Sequence, residues 1–129
     1  NEYKASDTIF VSIHCNAAGS GSEWMRARGW EAWTSAGQTK ADKLADSLYA
    51  AAERLLPDMK IRKDMSDGDA DKESGFYILK HTKCPAVLTE NLFQDNKEDV
   101  DFLLSEEGKR AIVDLHVQGI VNYLNNSKK

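Results

Sequence analysis

The chain has 129 residues, of which 41% are hydrophobic and 29% charged, and its formal net charge is −4. This size and balance predict one globular domain, residues 1–129, with a core of its own. The negative charge argues against a nucleic-acid partner bound by phosphate neutralisation, and no apolar run is long enough to be a transmembrane segment.

The first predicted element is a buried strand that brings a histidine to the edge of a sheet. Residues 9–13 are almost entirely apolar, which is typical of a strand covered on both faces, and the strand is expected to end at His14. Ligands and catalytic groups gather beyond the carboxyl ends of strands in open α/β sheets. His14 is therefore a candidate functional residue, with a structural histidine as the equal alternative at this stage.

The middle of the chain predicts a scaffold around this strand. A Gly- and Ser-rich loop with Trp24 is followed by a strand over 29–34, whose Trp30 and Trp33 should face opposite sides. Apolar residues then recur at helical spacing over 39–56, and Pro57 ends that helix. The polar stretch 62–74 predicts a solvated loop. Its acidic residues do not have the spacing of a calcium-binding loop.

A second strand pairs naturally with the first. Residues 76–79 predict a short strand, and residues 84–90 predict another that ends in Glu90. If this strand runs parallel to the first, His14 and Glu90 emerge at one edge. A histidine beside a carboxylate suits a metal hydrolase or a general-base site, whereas the simpler alternative is a charged residue that marks the end of a strand.

The remaining candidates for chemistry fall away from this edge. His81 is expected on the surface, and His116 lies in the apolar stripe of a helix over 109–124, where a packed histidine is the better interpretation. A shorter helix is predicted over 96–104, and 125–129 as a frayed tail. Cys15 and Cys84 are expected about 15–20 Å apart, hence as free thiols. A cysteine hydrolase using Cys15 and His14 is the weaker alternative, because neighbours on a strand face opposite sides.

At these residues the sequence resembles a known family. Segments 10–17 and 85–93 are similar to two signature segments of the zinc-dependent N-acetylmuramoyl-L-alanine amidases. The resemblance covers nearly all of the chain, but only the later part of such a domain. It implies an α/β fold with a mixed, mostly parallel central sheet flanked by helices, lacking the family's N-terminal strand–helix portion.

The resemblance also implies roles for individual residues. His14 matches one zinc-binding histidine, and Glu90 matches the catalytic glutamate that moves a proton between the metal-bound water and the leaving amine. Asn16 would shape or support the turn after His14 as part of the substrate-binding site. Arg62 or Lys63 would meet a substrate carboxylate, and Arg62 is the preferred candidate. The family's other two zinc ligands, one His and one Glu, have no match here. Leu92 also departs from the pattern, because relatives usually have glycine before the aromatic that matches Phe93.

The implied substrate is peptidoglycan, which places the protein outside the cytoplasmic membrane or makes it a phage lysin. Without the missing ligands we expect a fragment that binds Zn²⁺ weakly, and an exposed sheet that favours self-association. The start of the sequence, which has neither an initiator methionine nor a signal-peptide pattern, fits a cut or processed chain. A non-catalytic peptidoglycan-binding or regulatory module of the same fold is the main alternative function.

Overall fold

The structure is a computed structural model that describes residues 3–34, 39–62 and 77–127. A 3₁₀ turn, Ala5–Asp7, precedes the first strand. The strands are β1 (Phe10–Asn16), β2 (Trp30–Thr34) and β3 (Ala86–Phe93), and the helices are α1 (Thr39–Leu55), α2 (Tyr77–His81), α3 (Lys97–Leu104) and α4 (Glu106–Ser127).

The described strands form a mixed sheet in the order β1-β3-β2. The central strand, β3, pairs in parallel with β1 and antiparallel with β2. All of its residues except Glu90 are buried, as its long apolar run predicts. The predicted mixed α/β architecture, with helices flanking the sheet, is confirmed.

One face of the sheet packs against α1 and α4 and forms the main core. The two helices approach so closely at Gly119 that an added Cβ would lie 2.6 Å from Leu48 Cδ2 and 3.0 Å from Leu48 Cα. Glycine at this position therefore sets the spacing between the helices. Trp30 is fully buried in this core, whereas Trp33 packs in the cluster on the other face, which confirms the predicted opposite orientations.

The second face of the sheet is covered near its middle by α2, whose Leu79 packs on Ala86 and Leu88. The predicted strand over 76–79 is wrong for residues 77–79, which belong to this helix. A short apolar run fits either structure by its pattern alone. Here the helix lets Leu79 cover the sheet and stacks the Tyr77 and His81 rings one turn apart, with their centroids 3.9 Å apart.

Several predicted boundaries are confirmed or extended. The helix before Pro57 is confirmed as α1, and α3 begins after Asn96, whose side chain caps it by accepting from the Asp99 N–H. The last helix is longer than predicted at both ends. It continues through residues 125–127, which were expected to fray, because nothing in 125–127 breaks the helix. The predicted loop over 62–74 lies outside the described residues beyond Arg62.

Candidate functional site

The predicted meeting of His14 and Glu90 is present in the sheet. Their Cα atoms are partners in the parallel β1–β3 ladder, and Glu90 is in turn the partner of Glu31 on β2. Paired residues point to the same face, and neighbouring strands lie about 4.8 Å apart. An imidazole and two carboxylates therefore form a row near the carboxyl ends of β1 and β3, which we call the carboxyl edge.

His14 is exposed, and its ring nitrogen Nε2 lies 2.7 Å from the Ser12 hydroxyl. Its backbone is fixed from below, because the Asn91 side-chain amide donates to the His14 carbonyl at 3.0 Å. The ladder register shifts between His14 and Asn16. Such an irregularity re-aims the side chains at the end of a strand.

Glu31 is a candidate site residue that was not predicted from the sequence. It is buried, and its carboxylate accepts from Asn16 Nδ2 at 2.6 Å and lies 3.6 Å from Arg62 Nε. The Arg62 guanidinium also stacks over the Phe93 ring, 5.2 Å from its centroid. The two predicted substrate-binding residues, Asn16 and Arg62, thus meet on one carboxylate. The only signal in the sequence was a glutamate within an otherwise apolar strand.

A buried chain of hydrogen bonds connects α4 to the carboxyl edge. His116 Nδ1 lies 2.7 Å from the Ile112 carbonyl, and Nε2 lies 2.9 Å from the Thr89 hydroxyl. The carbonyl can only accept, so Nδ1 carries the proton and Nε2 accepts from Thr89. The Thr89 oxygen then accepts from Asn91 at 2.9 Å. His116 is buried, as predicted, and that burial lowers the pKa of its imidazole.

The loop after β1 is tied to the turn after β3 by Asp95. Its carboxylate accepts the backbone N–H groups of Ala18 at 2.9 Å and Gly19 at 2.8 Å. These two hydrogen bonds favour the charged form, so the pKa of Asp95 lies below its ordinary value. The loop around the carboxyl edge is therefore held by a carboxylate that remains charged in mildly acidic solution.

The two cysteines give little support to the cysteine-hydrolase alternative. Both are free thiols, as predicted. Desolvation and, secondarily, the negative charge of Glu90 raise the pKa of the Cys15 thiol. A raised pKa reduces the thiolate fraction that a nucleophilic cysteine needs. His81 is exposed on the surface, as predicted.

The described residues do not by themselves make a zinc site. A catalytic zinc takes three protein ligands and a water molecule. No group of three His, Cys, Asp or Glu side chains that could hold a metal ion occurs within the ranges 3–34, 39–62 and 77–127. His14 supplies one imidazole of suitable chemistry at the carboxyl edge, and a complete site would need ligands from outside these ranges.

Comparison with known proteins then decides the family. The model of the Amidase_3 family, described as N-acetylmuramoyl-L-alanine amidase, matches residues 3–122. The chain belongs to the Amidase_3 family. This family is generally zinc-dependent. The match includes both segments that carry the resemblance and the whole of the carboxyl edge.

Comparison with individual relatives supports this family assignment. The chain is 34% identical over 127 residues to an endolysin of Bacillus phage SPP1, which covers 97% of this chain and 43% of that protein. It is 39% identical over 57 residues to the N-acetylmuramoyl-L-alanine amidase CwlM of Bacillus licheniformis, covering 44% of this chain and 22% of that protein. The chain thus spans less than half the length of these relatives.

Solved structures show the same fold. The amidase AmiC2 of Nostoc punctiforme superposes with a TM-score of 0.69 at 24% identity, covering 92% of this chain and 58% of that one. The catalytic domain of the CD27L endolysin, which targets Clostridia difficile, superposes with a TM-score of 0.58 at 28% identity, covering 88% and 54%. Among the described helices, none has the length and apolar character needed to cross a membrane.

Proposed function

We propose that this chain forms the part of a peptidoglycan hydrolase that carries the catalytic carboxylate. The bond cleaved is the amide between the lactyl group of N-acetylmuramic acid and the L-alanine of the stem peptide. One observation carries the proposal: Glu90 and His14 are register partners at the carboxyl edge of a sheet whose family is the N-acetylmuramoyl-L-alanine amidases. Such edges are where α/β proteins place their chemistry.

In this proposal Glu90 is the general base and then the general acid. Its carboxylate takes a proton from the attacking water, and a C–O bond forms at the lactyl carbonyl. Glu90 then gives the proton to the amine nitrogen as the C–N bond breaks, which leaves a lactyl carboxylate and a free L-alanine amine. Glu90 is half-buried beside His14, so its carboxylate is held near this proposed ligand and is still open to water.

We assign His14 as one ligand of the zinc ion, the cofactor expected for the family. When bound, such an ion polarises the carbonyl and makes water more acidic. The other ligands would come from outside the described residues.

Asn16 and Arg62 are proposed to bind substrate from the Glu31 side of the row. The Arg62 side chain is 34% exposed, and Arg62 Nε is buried without a hydrogen bond. The exposed part of this guanidinium can donate hydrogen bonds to a substrate carboxylate with little reorganisation, because Glu31 and Phe93 already hold the side chain in place. The stem peptide supplies such carboxylates. Asn16, held by Glu31, fixes the backbone turn that follows His14.

The test measures hydrolysis by the full natural polypeptide that contains these 129 residues. Purified peptidoglycan is the substrate, and the new amino groups of L-alanine are labelled and counted, with reducing sugar ends counted in parallel. We expect new L-alanine amines without new reducing ends. Glu90→Gln should abolish the reaction, whereas Glu107→Gln, on the exposed start of α4, should leave it unchanged.

Metal content and wall binding separate the remaining alternatives. About one zinc per chain in both the wild type and Glu90→Gln, with activity only in the wild type, supports the assignment. Full activity of Glu90→Gln would overturn it. A protein that sediments with peptidoglycan but neither binds zinc nor releases amines would instead be a non-catalytic wall-binding module, which the incomplete ligand set among the described residues favours as the second candidate.

We further propose that the protein acts outside the cytoplasmic membrane, where peptidoglycan lies, or as a phage lysin.

The isolated chain should also self-associate. β1 is an outer strand of the described sheet, and α4 exposes an apolar stripe formed by Val113, Val117, Val121 and Leu124. Light scattering should give a mass above 14.4 kDa at micromolar concentration, and Val117→Glu should lower it.

A further inference from the structure

A pocket adjoins the carboxyl edge. It has a volume of about 590 Å³ and lies between the loop that follows β1 and the turn that follows β3. Its lining includes Ser20, Ser22, Glu23, Trp24, Gln94 and Asp95. Because β1 and β3 run parallel, both segments leave the sheet at the edge that carries His14 and Glu90. A larger pocket, of about 1050 Å³, lies at the opposite end, beside the start of β1.

The walls of the pocket beside the carboxyl edge are fixed at both ends of the loop. At one end the Asp95 carboxylate holds the N–H groups of Ala18 and Gly19. At the other end the Met25 N–H donates to the Asp95 carbonyl at 2.6 Å, and Asn96 Nδ2 donates to the Met25 carbonyl at 3.1 Å. A ligand entering this pocket would therefore meet a largely formed surface, and binding would cost little ordering of the loop.

Trp24 is the unusual feature of this wall. Its exposed fraction is 59%, whereas Trp30 is fully buried. Covering apolar surface is favourable by about 25 cal/mol for each Å² removed from water. A ligand that stacks on the exposed Trp24 ring would therefore gain free energy that the free protein does not obtain from this side chain. Loops held by a rigid scaffold beside an active site are common places for binding residues.

The other lining groups indicate what the ring would cover. The charged side chains among the described lining residues, Glu23 and Asp95, are both acidic, which disfavours anionic ligands such as the carboxylates of a stem peptide. Ser20, Ser22 and Gln94 offer neutral hydrogen-bond donors and acceptors. An apolar ring with neutral polar neighbours matches a sugar ring, which has an apolar face and hydroxyl or acetamido groups at its rim.

We propose that this pocket is a glycan subsite in which Trp24 stacks on a neutral N-acetylated pyranose. The inference rests on the proposed function for its biological substrate: the sugar bound here would be one of the glycan strand beside the reacting lactyl amide. The subsite thus orients the glycan, while Arg62, on the other side of the row, receives the peptide. The neutral glycan and the anionic peptide of the substrate would thus bind on opposite sides of the row.

The test uses a glycan without peptide, the N-acetylglucosamine tetramer, titrated calorimetrically into the full natural polypeptide. We expect measurable binding by the wild type, about tenfold weaker binding by Trp24→Ala, and an intermediate affinity for Trp24→Phe. Glu90→Gln should bind the tetramer like the wild type, because Glu90 lies outside the pocket. Trp24 is exposed, and an unchanged circular dichroism spectrum will verify the fold of each variant.

The outcomes distinguish this subsite from the proposed reaction. Equal binding of the tetramer by the wild type and Trp24→Ala, or no binding at millimolar concentration, overturns the subsite. Binding of a free stem peptide that is lost in Trp24→Ala also overturns it. If the tetramer binds through Trp24 but no amide is hydrolysed, the subsite stands and the proposed reaction fails. With an active enzyme, Trp24→Ala should raise KM and leave kcat unchanged.

Discussion

Leu92 provides a direct test of how this chain accommodates its departure from the family pattern. Its φ angle is +69°, in the left-handed region, and its side chain is fully buried. The left-handed conformation costs an ordinary L-residue about 1–2 kcal/mol, whereas glycine adopts it freely. This is a physical reason for the glycine that the resemblance leads us to expect at this position. Burial of the leucine in the main core offsets the cost here.

The perturbation is a pair of variants, Leu92→Ala and Leu92→Gly. Both lose the buried side chain, which should lower the free energy of unfolding by about 2–5 kcal/mol. Only glycine relieves the backbone strain. In a strand interior glycine is ordinarily about 0.5–1 kcal/mol less stable than alanine, so relief of about 1–2 kcal/mol should make Leu92→Gly the more stable of the pair, by up to about 1.5 kcal/mol.

The assay is urea unfolding followed by tryptophan fluorescence. The matched control is Val87→Ala against Val87→Gly, since Val87 is also fully buried in β3 but has no positive φ. At position 87 alanine should be the more stable, by about 0.5–1 kcal/mol. If glycine is less stable than alanine by the same amount at both positions, the backbone at Leu92 is not strained and the reasoning fails.

Three further predictions concern charged groups. Glu31→Gln removes the charge that holds Arg62 and Asn16, so it should lower the free energy of unfolding by about 1.5–3 kcal/mol and raise the KM for peptidoglycan. Glu107→Gln is the control. An unchanged KM in Glu31→Gln would contradict the role of Arg62 and Asn16 in substrate binding. The pKa of His116 is lowered in the folded state, so protonation favours unfolding: stability should fall as the pH drops below about 6.5, and more steeply than in His116→Leu when both are unfolded in urea at several pH values. The pKa of Asp95 is also lowered, but here the charged form is the one that the fold favours. Its contribution to stability is present above pH about 3.9 and is lost as the pH falls further. Asp95→Asn should therefore reduce the loss of stability in acid, and identical acid profiles of the variant and the wild type would refute the link.

The sequence was most informative where a strand and its chemistry are adjacent in the chain. The apolar runs before His14 and Glu90 predicted two strands, and their parallel pairing was the simplest way to bring both residues to one edge. The predicted burial holds for β3 but is wrong for β1, whose residues are half-buried or exposed, and the strands continue past His14 and Glu90 to Asn16 and Phe93. The helix before Pro57 was equally clear. In contrast, residues 77–79 were assigned to a strand because a short apolar run has no period of its own. Packing of Leu79 on the sheet decided the helix.

Glu31 could not be identified from its neighbours, for a different physical reason. A glutamate within a strand usually faces water, and burial of its charge is tolerated only with partners. Those partners, Asn16 and Arg62, are 15 and 31 residues away. Asn16 is brought to Glu31 by the pairing of β1 and β2 with β3, and Arg62 by its backbone bond to Trp30 on β2. The row of His14, Glu90 and Glu31 is thus a property of the completed sheet.

Asn91, the residue after Glu90, also finds its partners only in the completed sheet. Its side-chain oxygen accepts from Trp30 Nε1 at 2.7 Å, while its amide donates to the Thr89 hydroxyl and to the His14 carbonyl. One buried amide therefore joins β2, β3 and β1 directly behind the row at the carboxyl edge. Because each of these groups would be costly to bury unpaired, the bonds fix the relative positions of the strands. The spacing of His14 and Glu90 is thereby supported by hydrogen bonds on the hydrophobic side of the sheet.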